Sequence, residues 1–239
     1  MMRDLAAVWS PLAPSPLVWI VVTLAAYALA RRLQRLCGGA ALANPVLIAI
    51  AVTAAVVLAT RTSYATYFSG AQFINFLLGP ATVALAVPLA RNIRQVRGSL
   101  KGLVLALVCG SVASTVSGIA LVWALGGSRI IALSMAPKAV TTPIAMDVSR
   151  QIGGAPALTA ALAIIGGIFA ASVGRRLLTI LRIHDHRAHG FAAGVAGSGV
   201  AAAEAARLGG LATAFAALGV ALNGVVTALL TPALVSFAW

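Results

Sequence analysis

Residues 134–147 of this chain read SMAPKAVTTPIAMD, and they interrupt a sequence that is otherwise mostly apolar. This central segment carries one lysine, two threonines, one aspartate and two prolines, Pro137 and Pro143. Proline removes a backbone donor and clashes with the preceding turn, so the pair predicts a break in a helix. Inside a bilayer such a break is tolerated where it is buried in protein or lines a watery cavity, and an ionisable residue there indicates function. The alternative is an interfacial loop from which Lys138 extends to the headgroups.

The composition predicts a membrane protein with several crossing helices. Of the 239 residues, 61% are hydrophobic and only 9% are charged, whereas charged residues make up about 25% of a soluble domain. The formal net charge of +13 would suggest nucleic-acid binding in a soluble protein. Here the basic residues fall between apolar runs with few aromatic residues beside them. They therefore indicate membrane topology and no nucleic-acid partner.

No pattern in the sequence predicts catalysis. The two cysteines, Cys37 and Cys109, lie in unrelated contexts, without the spacing of a metal site or of a disulfide framework. The histidines lie in a basic loop, and no nucleophile is paired with a base. We expect no enzymatic activity, no cofactor and no metal.

The hydrophobic pattern predicts an all-α polytopic membrane protein with about 7–8 transmembrane segments. The predicted segments are 17–30, 45–60, 70–90, 102–125, 130–148, 157–173, 190–206 and 211–237. The third of them is broken, because Gly79, Pro80 and Pro88 interrupt it.

The distribution of basic residues predicts the topology. Basic loops at 31–35, 91–101 and 175–187 should all lie on the cytoplasmic side. That requires one segment between residues 101 and 175 to be re-entrant, and the proline-broken central segment is the best candidate. Seven spans remain, with the N-terminus outside and the C-terminus inside.

The same order of segments predicts a single domain, 1–239, with inverted repeats at about 17–125 and 129–237. Transporters are often built from such repeats, with broken helices meeting at the midplane. The alternative is that the symmetry reflects only the repetitiveness of an alanine-rich membrane sequence.

Two stretches carry a resemblance to a known family. Residues 72–89 (QFINFLLGPATVALAVPL) resemble the first signature of the LrgB/CidB family, and the central segment with residues 151–154 (QIGG) resembles its second. The resemblance covers the chain from about residue 17 to its end. One position departs from the pattern, because a histidine common in the glycine-rich segment is replaced by Ser198. A proton-relay role for that histidine is therefore in doubt here.

The resemblance implies a multi-pass protein of the bacterial inner membrane with a small LrgA/CidA-type membrane partner. Family members are described as antiholin-like regulators of murein hydrolases. Plastid relatives exchange glycolate and glycerate, and bacterial relatives are linked to pyruvate uptake. The family is grouped with cation–proton antiporter and bile-acid symporter folds, which use crossed broken helices, and that grouping implies a possible homodimer.

Lys138 is the first candidate for contact with a small organic anion, because its ammonium offers three donors to a carboxylate. Thr141 and Thr142 are candidates for hydrogen bonds to a hydroxy acid. Their alternative role is to satisfy backbone groups freed by Pro143. Asp147 is a candidate for carrying a coupling proton or for pairing with Lys138. Alternatively, it caps a helix or lies at the interface near Arg150.

Polar residues of the other segments have open roles. Gln72, Asn75 and Thr82 either line the substrate path or join helices by hydrogen bonds. Glu204 and Arg207 are expected to form a local ion pair. Two further polar residues share a face of the last segment and are expected to form interhelical hydrogen bonds, namely Asn223 and Thr227.

Two functions of different classes follow. The first is a carrier of small monocarboxylates that works by alternating access and depends on Lys138. The second is an antiholin-like regulator that acts through oligomerisation with a small membrane partner, for which Lys138 is replaceable. A charge buried beside broken helices favours the carrier, because such a charge costs several kcal/mol in a bilayer.

Overall fold

The computed structural model describes residues 15–37, 45–77, 80, 83–84 and 86–238. All regular secondary structure in these residues is helical, as the composition predicts. The helices are α1 (Pro16–Leu36), α2 (Pro45–Ala59), α3 (Tyr64–Phe76), α4 (Ala86–Arg91), α5 (Ile93–Gly98), α6 (Leu100–Ala124), α7 (Arg129–Met135), α8 (Thr142–Ile152), α9 (Pro156–Ile180), α10 (His186–Ala205) and α11 (Gly210–Ala238). A 3-10 turn, Ala206–Leu208, precedes α11.

Four of the described helices, α1, α6, α9 and α11, are long and apolar enough to cross a membrane. Helices α6 and α9 have 25 residues each. At 1.5 Å of rise per residue each is roughly 37 Å long, which exceeds the ~30 Å hydrocarbon core. Helix α2 is apolar but shorter. The protein is therefore a helical membrane protein, while the count of seven spans and the inverted repeat stay predictions.

The chain separates into two compact units, Met1–Ala84 and Leu85–Trp239. In the first unit α1 packs against α2 and α3. Trp19 is fully buried there, and its ring meets the ring of Tyr67 edge-on with centroids 5.7 Å apart. Gly70 is required at this contact, because a side chain would collide with the Pro16 carbonyl.

In the second unit α10 and α11 pack with their backbones in close approach. A Cβ on Gly190 or Gly194 of α10 would collide with the carbonyl of Ala212 or Ala216 of α11. Membrane helices associate through such small residues, because lipid supplies no hydrophobic drive between them. An apolar cluster from α5, α6, α10 and α11 completes this core, formed by Val96, Leu103, Leu107, Phe191, Val195 and Phe215.

The segments predicted as basic loops are helical in part. Arg31 to Arg35 lie in the last turns of α1, Arg175 and Arg176 lie inside α9, and the 91–101 loop contains α5. The helices extend beyond their apolar residues because arginine side chains can reach the headgroups from inside a helix. A positive charge near a helix C-terminus also complements the helix dipole.

Candidate functional site

The central segment lies at a break between two helices. Helix α7 ends at Met135 and α8 begins at Thr142, and the residues between them form turns. Pro137 is fully buried in this break. Pro143 is exposed and lies in the first turn of α8. A helix tolerates proline there because the first N–H groups have no intrahelical partner.

Buried hydroxyls fix the start of the break. Thr159 of α9 donates to the Ser134 carbonyl at 3.0 Å and to the Ser149 hydroxyl at 2.7 Å. The Ser134 hydroxyl accepts from the Ala155 amide at 2.8 Å. All three hydroxyl-bearing residues are fully buried. The network joins α7, α8 and α9, and it holds the residues that precede Lys138 in place.

A second break lies in α10. Ser198 has φ 51° and ψ −141°, which is a non-helical conformation inside the helix. A residue other than glycine is strained at a positive φ, because its Cβ clashes with the backbone in that conformation. The Ser198 side chain is buried, and its hydroxyl has no hydrogen-bond partner among the described residues. In the sequence, only the glycines on either side of Ser198 indicate this break.

Asn223 of α11 connects the two breaks. Its amide nitrogen donates to the Ala139 carbonyl at 3.2 Å and to the Val195 carbonyl at 2.9 Å. Its amide oxygen accepts from the Ser111 hydroxyl of α6 at 2.6 Å. The side chain is only 1% exposed. The predicted interhelical hydrogen bonding of Asn223 is confirmed, and it joins α6, the central segment, α10 and α11.

Lys138 extends from the first break toward α6. Its ammonium donates to the Ser114 carbonyl at 2.7 Å and contacts the Ser114 hydroxyl at 3.4 Å. A Cβ added to Gly118 would lie 2.8 Å from this nitrogen, so the glycine leaves room for it. Ser114 and Gly118 are four residues apart and therefore share one face of α6. The sequence alone does not indicate that this face of α6 holds the lysine in place.

The Lys138 ammonium pairs with no carboxylate in the described part of the chain. The three described acidic residues each pair with a neighbouring arginine, as Asp147–Arg150 at 2.9 Å, Asp185–Arg187 at 2.6 Å and Glu204–Arg207 at 3.2 Å. The predicted Glu204–Arg207 pair is confirmed. Hydrogen bonds from Arg187 hold the pKa of Asp185 below its ordinary value. A partly buried cation without a counter-ion is a place where an anion can bind.

Two cavities lie next to Lys138. The lysine cavity, of about 360 Å³, is lined by Lys138 together with parts of α9 and α10, including His189 and Glu204. The basic cavity, of about 1030 Å³, has Arg97, Lys101 and Arg187 among its lining residues and includes Ser114. The two cavities share three lining residues, Leu178, Ala192 and Ala196. Lys138 thus lines the lysine cavity, and its ammonium donates to Ser114, which lines the basic cavity.

The remaining predicted residues of the central segment lie at or near the start of α8. Thr141 precedes α8 and makes no side-chain cap bond, and Thr142 is its first residue; both are half-buried. Asp147 is exposed and pairs with Arg150, and both side chains are 66% exposed.

The predicted residues of the third segment belong to a different part of the chain. Gln72 and Asn75 are exposed on α3 in the first unit, and Gln72 donates to the Ser69 carbonyl at 2.8 Å. Pro80 is exposed and helical, and Pro88 lies inside α4. Gly79 and Thr82 fall outside the described residues.

Comparison with known proteins decides the family. The LrgB-like family is matched over residues 23–237, which includes both breaks and Lys138. The chain belongs to the LrgB-like family. The resemblance of the two signatures is thereby confirmed.

Three curated relatives of this LrgB-like chain carry the same name. This chain is 30% identical over 223 residues to "Antiholin-like protein LrgB" of Bacillus mycoides (strain KBAB4), and the match covers 93% of this chain and 97% of the relative. Proteins of the same name from Bacillus cereus (strain B4264) and Bacillus anthracis (strain CDC 684 / NRRL 3495) match to the same extent. The name describes no enzymatic activity. No solved structure shows a significant match.

The departure of this LrgB-like chain from the family pattern falls on the second break. Ser198, which stands where the resemblance places a histidine, is the strained residue of α10. A buried hydroxyl without a partner cannot take up a proton near neutral pH. This chain therefore offers no titratable side chain at that position.

Proposed function

We propose that this LrgB-like protein carries small organic anions across the bacterial cytoplasmic membrane by alternating access. The observation that supports the proposal is the Lys138 ammonium, because Lys138 lines a cavity and pairs with none of the described carboxylates. Short monocarboxylates such as glycolate, glycerate or pyruvate are the substrates, since one carboxylate would complete the pair. The lysine cavity, of about 360 Å³, has room for such an acid.

In this proposal the two helix breaks form the site. The carboxylate binds the Lys138 ammonium, and Thr141 and Thr142 bind a hydroxyl or keto oxygen. Asn223 keeps the breaks together through the Ala139 and Val195 carbonyls. Gln72, Asn75 and Thr82 of the third segment line the path, and Asp147 couples transport to protons. These last four assignments rest on the sequence alone.

The arrangement of the whole chain belongs to the same proposal. A single domain spans residues 1–239, with inverted repeats at about 17–125 and 129–237. Seven helices cross the membrane, the central segment is re-entrant, and two copies form a homodimer.

The test is uptake of labelled glycolate, glycerate and pyruvate into proteoliposomes that hold the purified chain. Lys138→Gln keeps hydrogen-bond donors for Ser114 and removes the charge, so it should abolish saturable uptake. Lys138→Arg keeps the charge and should retain part of it. Arg176→Gln removes an exposed charge and should transport like wild type. Equal uptake by wild type and Lys138→Gln would contradict the role of the ammonium.

A second candidate function is regulation of cell lysis as an antiholin-like subunit. The names of the curated relatives support it more directly than they support a carrier. The protein would act with a small LrgA/CidA-type membrane partner to restrain murein hydrolase export. Lys138→Gln should then restrain lysis as well as wild type does, and the chain should co-purify with the partner. Failure of every acid to enter proteoliposomes, with lysis still restrained, would leave this function standing alone.

A further inference from the structure

The basic cavity is larger than a two- or three-carbon acid requires. Its volume of about 1030 Å³ lies at the upper end of the ~300–1,000 Å³ typical for drug-sized ligands. The cavity is lined along α6 from Leu100 to Ser114. These fourteen steps correspond to roughly 21 Å of helix, more than half of the ~30 Å hydrocarbon core. The space is therefore long as well as wide.

The walls of the cavity are apolar below its charged end. Helix α6 contributes Leu103, Ala106 and Gly110 at helical spacing, so these residues share one face. The lining also includes three apolar residues of α10 and α11 that belong to the same buried cluster as Leu103, namely Phe191, Val195 and Phe215. A hydrophilic metabolite gains little from such walls, whereas a hydrocarbon chain fits them without leaving polar groups unpaired.

Two cations at the charged end are available to a ligand. Arg187 is engaged by Asp185 through several hydrogen bonds, so its charge is already matched. Arg97 and Lys101 are exposed, and neither pairs with a carboxylate in the described part of the chain. They lie where α6 begins, at the level where a helix of this length reaches the headgroups.

We propose that the basic cavity binds an anionic phospholipid. The phosphate lies between Arg97 and Lys101, and one acyl chain extends along α6 toward Ser114. Basic pockets between membrane helices bind anionic headgroups on the cytoplasmic side, and the membrane supplies the ligand at high local concentration. The proposal does not depend on transport, because it concerns the cavity and its two free cations only.

The test is native mass spectrometry of the full chain in neutral detergent, titrated with phosphatidylglycerol or with phosphatidylcholine. We expect phosphatidylglycerol to bind more tightly. Each removed charge should weaken binding about fivefold, so Arg97→Gln with Lys101→Gln should weaken it roughly 25-fold. Arg94→Gln is the matched control, because Arg94 is also exposed on α5 but does not line the cavity. It should bind like wild type.

A second variant tests the acyl-chain part of the cavity separately from the headgroup part. Ala106→Trp fills the apolar part of the cavity and should also weaken binding of phosphatidylglycerol, with the two cations intact. Should this variant fail to fold, the double charge variant still decides, because both of its substitutions are at exposed residues. Equal binding of the two lipids, or equal binding by wild type and the double variant, would overturn the proposal. Displacement of phosphatidylglycerol by glycerol phosphate at the same concentration would also overturn it, since the site would then bind a headgroup without needing the acyl chain.

Discussion

Lys138 reaches its position because two small residues of α6 make room for it. Ser114 supplies a backbone carbonyl at 2.7 Å from the ammonium, and Gly118 leaves the space that a side chain would fill. Hydrogen bonds to a charged group are worth about 1.5–3 kcal/mol, more than a neutral pair. The position of the ammonium is therefore sensitive to the smallest change on this face.

We expect Gly118→Ala to impair uptake without loss of the fold. The new methyl group lies 2.8 Å from the Lys138 nitrogen and 3.2 Å from Met135 Cγ, so the ammonium must shift. Losing one charged hydrogen bond corresponds to a rise of about tenfold in the apparent KM for uptake. Gly102→Ala on the same helix is the control, because its Cβ meets nothing within 4 Å. An unchanged KM in Gly118→Ala would contradict the seating of Lys138 described above.

Ser198 stores strain that glycine would release. Residues held at such φ and ψ cost about 1–3 kcal/mol, and the buried hydroxyl gains nothing back. Ser198→Gly should therefore raise the Tm in detergent, and Ser198→Val should lower it. Ser117→Gly, at an exposed helical position of α6, is the matched control and should lower the Tm because glycine weakens a helix. A lower Tm for Ser198→Gly would show that the hydroxyl has a partner after all.

Some residues of the candidate site could be identified from the sequence and others could not, for physical reasons. Lys138 and Pro137 stand out because charge and proline are rare in apolar sequence. The sequence singles out Ser198 as a departure from the family pattern but not as a helix break, because residue types do not reveal backbone angles. Asn223 was predicted to form hydrogen bonds between helices, but two of its partners are backbone carbonyls, which residue types do not reveal.

Helix α10 is best understood as two half-helices that are held against α11 by glycine. Gly190 and Gly194 lie before the kink and face α11, while Gly197 faces α9 with its Cβ position 2.6 Å from Ala170 Cβ. The first half is thus fixed from two sides. A kinked element with a tightly packed half is suited to discrete rearrangement at the kink.

We expect Gly194→Ala to destabilise the second unit. The added methyl group would collide with the Ala216 carbonyl, and backbone on both sides cannot yield without separating the helices. Overpacking of this kind costs about 1–3 kcal/mol. Gly199→Ala, on the same helix with nothing within 4 Å, should instead gain about 0.5–1 kcal/mol. Thermal unfolding in detergent measures both, and equal Tm values for the two variants would argue against the close packing of α10 and α11.

Most described helices were located by the hydrophobic pattern, but their ends were not. Helix α9 continues to Ile180, seven residues past the predicted end, and α3 begins at Tyr64, six residues before the predicted start. Ser63 caps α3 by accepting from the Thr66 amide at 3.2 Å, a signal that hydropathy does not contain. Apolar runs indicate which residues lie in the hydrocarbon core of the membrane, whereas a helix ends where its free backbone groups are capped.

For the whole molecule, the positive residues predict which connections share a side. The basic stretches 91–101 and 175–187 should both be cytoplasmic, and the connection between α6 and α7 should be outside. With Cys37 and Cys109 replaced by serine, Ser128→Cys should react with an impermeant thiol reagent in intact cells. Arg94→Cys and Arg182→Cys should react only after the membrane is opened. Labelling of Arg182→Cys in intact cells would contradict the re-entrant central segment.

The class and the family of the whole protein follow from composition and from two signatures, and both are confirmed. The cavities could not be predicted, since their walls come from helices that are far apart in the sequence. The basic cavity alone joins residues from Arg97 to Phe215. Such a space depends on how the side chains of five helices pack against one another, and no local sequence pattern encodes that.

The missing counter-ion of Lys138 has an electrical consequence for the proposed carrier. With no acid bound, the Lys138 ammonium is a positive charge without a carboxylate partner among the described residues, and a bound monocarboxylate makes that pair neutral. Moving one charge through the membrane potential is worth about 2.3 kcal/mol per 100 mV, and moving a neutral pair is worth nothing. A voltage across the membrane therefore acts on the return of the empty protein and not on the passage of its cargo. Exchange of one acid for another, which never passes through the empty form, would proceed at the same rate at any voltage.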